Sequence, residues 1–85
     1  MIHLKLLTRP GCSLCEEMRR EVDAALAGEP HEWEVVAVDS DPELARRYGD
    51  TIPILFVEGH LFAKIRLPRL ASRYRILRAA AAAQL

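Results

Sequence analysis

The sequence predicts an α/β domain built in the order βαβαββα, and three observations carry that prediction. First, an apolar run at residues 2–8 is followed by a helical-period segment and then by a β-branched run at 33–38, the pattern of a strand-helix-strand unit. Second, a right-handed crossover in such a unit makes its two strands parallel. Third, the runs 53–57 and 60–64 meet at Glu58-Gly59, a hairpin signal that adds antiparallel strands. The expected sheet is therefore four-stranded and mixed. A chain of 85 residues suits one domain, 1–85, with a small core and without linker or internal repeat.

Each element has a local reason. The first strand is rich in Ile and Leu and stops at Pro10-Gly11. From Ser13 to about Ala27, Cys15, Met18, Val22, Ala25 and Leu26 recur at helical spacing, with Glu16 and Arg20 as a surface pair at i, i+4. Gly28 and Pro30 end that helix. Trp33 to Val38 is β-branched and aromatic, as strands are, and Asp39 ends it with no assigned place near the cysteines. A short helix then opens in one of two ways. Ser40 caps it with Glu43 in a capping box, or Asp41 caps it with Pro42 at the first helical position. Tyr48-Gly49 closes it. After the hairpin, Pro68 is placed to start a last helix, with Leu67, Leu70, Tyr74, Leu77 and Ala81 on one arc. The alanine run 79–83 is a good helix former and a poor core filler.

Roughly half the residues are apolar and the net charge is zero, but the charge is unevenly spread. All 12 acids lie between Glu16 and Glu58; beyond them stand only Lys64, Arg66, Arg69, Arg73, Arg75 and Arg78. Those bases read most simply as a solvated helix face, some of them pairing with the acidic body; no aromatic interleaving marks nucleic-acid binding. The N-terminus is too short and too mixed for a signal peptide, and no apolar stretch is long enough to cross a bilayer. The expected protein is soluble, cytoplasmic and monomeric, with no nucleic-acid or membrane partner.

The two cysteines, Cys12 and Cys15, sit where the first strand hands over to the first helix. A lone close pair is no secreted disulfide framework; it fits a reducing compartment and chemistry rather than bracing. C-x-x-C in that place reads as a redox dithiol. The first turn of a helix offers unpartnered N–H groups and a positive dipole end, which stabilise a thiolate. Arg9 works in the same direction, and Glu16 and Glu17 work against it. Cys15 falls on the apolar side of the helix. Zinc, copper(I) or half an iron–sulfur site could be held by two thiolates, but His3, His31 and His60 show no ligand spacing near them, so no metal is assigned.

The C-x-x-C, the Thr51-Ile52-Pro53 run before the third strand and the βαβαββα order together resemble the glutaredoxin branch of the thioredoxin-like superfamily. Within that branch the chain is similar to the small bacterial glutaredoxin-like group with a Gly-Cys-x-Leu-Cys site, over roughly residues 2–65. The resemblance implies a thioredoxin-like fold with helices on both faces of the sheet. It implies a thiol–disulfide oxidoreductase in which Cys12 is the nucleophile and Cys15 resolves the mixed disulfide. It places a cis bond at Pro53, with Ile52 presenting its backbone to an incoming thiol peptide. It puts Arg9 against a glutathione carboxylate, and Gly11, Ser13, Leu14 and Thr51 around the bound thiol. No bound cofactor is implied; glutathione enters as reductant or co-substrate. Partners are then a disulfide-containing protein or glutathione disulfide, and a thiol reductant.

The sequence departs from glutathione-binding relatives in two places. Their Gly-Gly followed by an acid is replaced here by Leu61-Phe62-Ala63-Lys64-Ile65-Arg66-Leu67-Pro68, without the glycines and with bases for the acid. The dipeptide between the cysteines is Ser13-Leu14 instead of Pro-Tyr. The alternative reading is a non-catalytic thioredoxin-fold binding module whose dithiol binds metal or an iron–sulfur cluster.

Overall fold

The computed structural model describes residues 1–84; Leu85, the end of the expected domain, lies outside them. The elements are β1 (Ile2–Thr8), α1 (Ser13–Ala25), β2 (His31–Ala37), a 3₁₀ turn (Val38–Ser40), α2 (Pro42–Tyr48), β3 (Ile54–Val57), β4 (His60–Lys64) and α3 (Ser72–Ala82). The sheet runs β2-β1-β3-β4, with β1 parallel to β2 and antiparallel to β3, and β4 antiparallel to β3. This is the expected mixed sheet in a thioredoxin-like α/β fold.

Strand alternation sorts the apolar residues into two layers. Leu4 pairs with Val57 and Leu6 with Leu55, and this face packs on Met18, Val22 and Leu26 of the α1 segment and on Ile76 and Ala80 of α3. The opposite face carries Lys5 beside Phe56 and Leu7 beside Ile54. There Tyr48 of α2 meets Phe56 edge-on, ring centroids 6.2 Å apart. Helices therefore cover both faces.

Local chemistry explains the boundaries. Gly11, Gly28 and Gly59 all have positive φ. At the hairpin, Glu58 (φ 49) and Gly59 (φ 80) form the turn, and the Glu58 carboxylate accepts from the His3 N–H at 3.0 Å. Of the two openings for α2, the structure takes Asp41, whose carboxylate accepts from the Glu43 N–H at 2.9 Å with Pro42 following. The Ser40 hydroxyl donates to the Ala37 carbonyl instead. Among the described residues Glu16 and Arg20 make no ion pair; Arg19 lies over the Trp33 ring, 5.2 Å from its centroid.

Two expectations are corrected at the C-terminal end. The last helix starts at Ser72, not Pro68, because Ala71 adopts a left-handed conformation (φ 56) that a helix interior forbids. Its buried positions are Ile76 and Ala80, while Leu70 and Tyr74 are 79% and 61% exposed. Leu67 is buried, but in the connection before the left-handed break, so its helical phase does not carry into α3. The C-terminal arginines also form no ion pair with the acidic body among the described residues. Arg73 instead donates from Nη1 to the Ala25 and Ala27 carbonyls at 3.0 and 2.9 Å, satisfying the open end of α1.

Candidate functional site

The site begins with a turn. The Cys12 N–H donates to the Arg9 carbonyl at 3.2 Å, closing Arg9-Pro10-Gly11-Cys12. Pro10 supplies a preset negative φ and Gly11 the positive one (φ 78), the requirements of a type II turn. The turn delivers Cys12 as the N-cap of α1, in extended conformation (φ −82, ψ 103). Its Sγ accepts from the Cys15 N–H at 3.1 Å, the place an oxygen takes in an ordinary cap.

Cys12 and Cys15 are joined as a disulfide, Cα atoms 5.3 Å apart. Their exposures differ. Cys15 is 4% exposed among the core side chains, and Cys12 is half-buried. Any reagent in solution therefore meets the Cys12 sulfur first. A groove of about 430 Å³ opens beside it, lined by Arg9, Gly11, Cys12, Cys15, Val35 and Ala37 among others. A second groove, about 210 Å³, lies on the far side of α1 and takes Leu14, from between the cysteines, as part of its wall.

The expected site residues divide into three groups. Arg9, Gly11, Cys12 and Cys15 come together at the first groove, and Leu14 lines the second. Ser13 is the exposed first residue of α1. Thr51, Ile52 and Pro53 line neither groove. They sit one step past the last β1–β3 ladder pair, Leu7–Ile54, so they share the sheet end from which the cysteine turn departs. The Ile52–Pro53 peptide is cis, and Pro53 is buried. The Thr51 hydroxyl donates to the Tyr48 carbonyl at 3.2 Å, so it serves the end of α2. The Pro53 carbonyl accepts from the Ile65 N–H at 2.7 Å, which ties this corner to the segment after β4.

Arg9 is held in a way the sequence did not announce. Its Nε and Nη2 donate to the two carboxylate oxygens of Asp39 at 2.8 and 3.1 Å, and Nη1 donates to the Gly49 carbonyl at 3.2 Å. The hydrogen bond to Asp39 and that carboxylate's charge hold the guanidinium above its ordinary pKa. The same hydrogen bond holds the Asp39 carboxyl below the usual range, against a smaller opposing effect of desolvation. A Cβ at Gly49 would lie 3.3 Å from Arg9 Nη2, so any larger residue there would make the guanidinium shift by a few tenths of an ångström. Arg9 thus pins the cysteine turn to the 3₁₀ turn and to the C-terminus of α2. The signal for this pair was the parallel β1–β2 register, with Thr8 opposite Ala37, which sends the two strand exits out side by side.

No group of three or more His, Cys, Asp and Glu side chains stands together as metal ligands among the described residues. No described helix is long and apolar enough to cross a membrane.

A C-x-x-C disulfide at the mouth of α1, on a β2-β1-β3-β4 sheet covered on both faces, defines the class: a thioredoxin-like domain with a thiol-redox role. The family follows from comparison with known families. The chain matches the model of the glutaredoxin-like domain (DUF836) over residues 3–76, and it belongs to that family. A search of curated proteins gave no match.

Proposed function

We propose that the chain is a dithiol–disulfide oxidoreductase in which Cys12 attacks and Cys15 resolves. The observation that carries this reading is the asymmetry of the pair: Cys12 is half-exposed at the helix N-cap, and Cys15 is shielded behind it. In the reduced protein the Cys12 thiolate gains the Cys15 N–H and the dipole of α1. It attacks one sulfur of a substrate disulfide, forming a Cys12–substrate bond and expelling the other sulfur as a thiolate. The Cys15 thiol loses its proton and attacks the Cys12 sulfur. The substrate leaves as a second thiolate, reduced by two electrons, and the Cys12–Cys15 disulfide remains. A thiol reductant returns the pair to dithiol; glutathione or a protein reductase would fill that role, and no prosthetic group enters.

The Arg9–Asp39 pair bears on the choice of reductant. A guanidinium that already spans a carboxylate in two places has less to offer a glutathione carboxylate. Arg9 therefore acts in this reading as a positioning residue for the turn.

Wild type and Cys15→Ser, equilibrated in glutathione redox buffers and read by intact mass, test the proposal. A reversible internal disulfide in wild type, with a glutathione adduct on Cys12 in the variant, is the expected result. A reversible disulfide without an adduct selects a protein reductant. If neither species forms, the oxidoreductase reading is wrong. Activity toward a protein disulfide should vanish in Cys12→Ser, and Cys15→Ser should trap the mixed disulfide.

A further inference from the structure

We infer that the surface running from Arg66 through Arg69, Leu70 and Tyr74 to Arg78 docks an acidic polypeptide segment, the flank of the disulfide that Cys12 attacks. The inference rests on the dithiol reading and names the substrate class of that site.

No ion pair neutralises this surface among the described residues. Lys64, Arg66, Arg69, Arg73, Arg75 and Arg78 are all exposed. Among the described residues none of them meets a carboxylate within ion-pair distance, although 12 acids lie elsewhere in the chain. Arg73 spends its Nη1 on the end of α1, and Arg78 donates to the Tyr74 hydroxyl at 3.0 Å. Lys64, Arg66, Arg69 and Arg75 have no side-chain hydrogen bond among the described residues. Of the five arginines elsewhere, Arg9 and Arg46 each hold a carboxylate with two N–H groups, and Arg19 and Arg47 lie over the Trp33 and Tyr48 rings.

The chemistry of the surface points to a polypeptide. Five of the six bases are arginine, the side chain whose planar fork binds carboxylates in pairs. Between them stand Leu70 and Tyr74, both largely exposed, and Ile65, 40% exposed. Tyrosine and arginine together are the composition of protein interfaces. A nucleic acid would want a series of stacking rings; this surface has one, with its hydroxyl already engaged. A nucleic acid also carries no disulfide for Cys12 to attack.

The surface is continuous with the redox site. Ile65, Arg66, Leu67 and Arg69 form one wall of the 210 Å³ groove, and Leu14, between the two cysteines, belongs to the other. Glu17 and Glu21 also line the α1 wall. They disfavour an acid on the groove floor and place the partner's carboxylates outside it, over Arg69 and the Leu70–Tyr74 edge.

Two assays separate this inference from the dithiol reading. The first uses disulfide-bonded peptides that differ only in a Glu-rich, Gln-rich or Lys-rich flank, reduced by the full chain. The Glu-flanked peptide should react about tenfold faster than the Gln-flanked one at low salt, and high salt should remove the difference. Arg66→Glu with Arg69→Glu should abolish the preference, whereas Arg47→Glu, on α2 across the sheet, should keep it. The second assay is fluorescence anisotropy of a labelled Glu-rich peptide without cysteine. Equal binding by wild type and the double variant overturns the inference, as does tighter binding of a single-stranded oligonucleotide. If the Glu-rich peptide binds through Arg66 and Arg69 but no peptide is reduced, the surface stands and the dithiol reading falls.

Discussion

Replacing Gly11 by alanine isolates the contribution of backbone geometry at the redox turn. Gly11 sits at φ 78, and a Cβ built there has no heavy atom within 4 Å, so the substitution introduces strain without a clash. An L-residue in the left-handed region loses about 1–2 kcal/mol. The reduced freedom of the unfolded alanine chain returns about 0.4–1 kcal/mol of that. The expected net loss is about 1 kcal/mol, which for a domain of this size lowers Tm by about 4–8 °C. Gly28 is the control: its φ is 82, its Cβ space is equally open, and it lies at the far end of α1. Thermal melts of both variants, with the disulfide kept closed, should show similar losses. Only Gly11→Ala should also change the equilibrium between the protein disulfide and glutathione, because only that turn presents Cys12. Unchanged melting of Gly11→Ala would refute the argument that positive φ is why glycine stands there.

Three further outcomes follow from other parts of the fold. Ala71→Gly relieves the left-handed alanine before α3 and should raise stability by up to about 1 kcal/mol, read as a higher urea midpoint at an unchanged slope. His31 donates to two acceptors, the Glu29 carbonyl at 2.7 Å and the Asp23 carboxylate at 2.8 Å, which only the imidazolium can do. Those bonds, that to Glu29 first, raise its pKa above the ordinary 6.5. Burial pushes the Asp23 carboxyl up, but hydrogen bonds from His31 and Trp33 outweigh it and hold the group below 3.8. The histidine's contribution is complete below pH 6.5 and is lost as pH rises through its folded pKa; the aspartate's is complete above 3.8 and is lost as pH falls through its own. Urea melts should therefore show a stability plateau between those values that His31→Gln flattens on the alkaline side; an identical pH profile in the variant would sink the argument. Finally, Asp39→Asn removes the carboxylate paired with Arg9, with only the more distant charge of Asp50 still acting on the guanidinium. The Cys12 thiol should then titrate lower than in wild type by ultraviolet thiolate absorbance in a Cys15→Ser background, while an unchanged value would mean that Arg9 exerts no field there.

Much of this architecture was legible because local chemistry and global topology agree. The turn residues Pro10-Gly11, the cysteine at the helix mouth and the Glu58-Gly59 hairpin each have one good conformation, and the fold uses it. The capping choice at Ser40 and Asp41 was open because both side chains can reach an amide of the same first turn; in the fold Ser40 belongs to the preceding 3₁₀ turn and its hydroxyl is taken by the Ala37 carbonyl, which leaves the cap to Asp41. The start of α3 was misread for a different reason. Pro68 is a helix-start signal, but Ala71 breaks the helix in a conformation alanine seldom takes, and no glycine marks it. The Arg9–Asp39 pair joins residues 30 apart, and the β1–β2 register that brings them together is a property of the folded sheet. The arginine that closes α1 comes from position 73, brought there by the packing of α3 beside α1, which is equally a property of the folded chain.

The two sides of the dithiol differ electrostatically, and that difference limits how substrate can be chosen. Toward β2, the cation nearest the cysteine turn along the chain, Arg9, is paired with Asp39, and the groove there is lined by Val35 and Ala37 and by Glu16 and Arg19, whose charges are opposite. The mouth of α1 also acts on Cys12 from that side, but it is common to any helix carrying a C-x-x-C and so confers no selectivity. Toward the β4–α3 connection, the arginines have no partner among the described residues, and only Glu17 and Glu21 oppose them across the groove. A long-range preference among substrates must then arise on the connection side and weaken with salt. On the β2 side the charges lining the groove are of both signs, so discrimination there leans on shape and on contact with Val35 and Ala37, and should weaken less at high ionic strength.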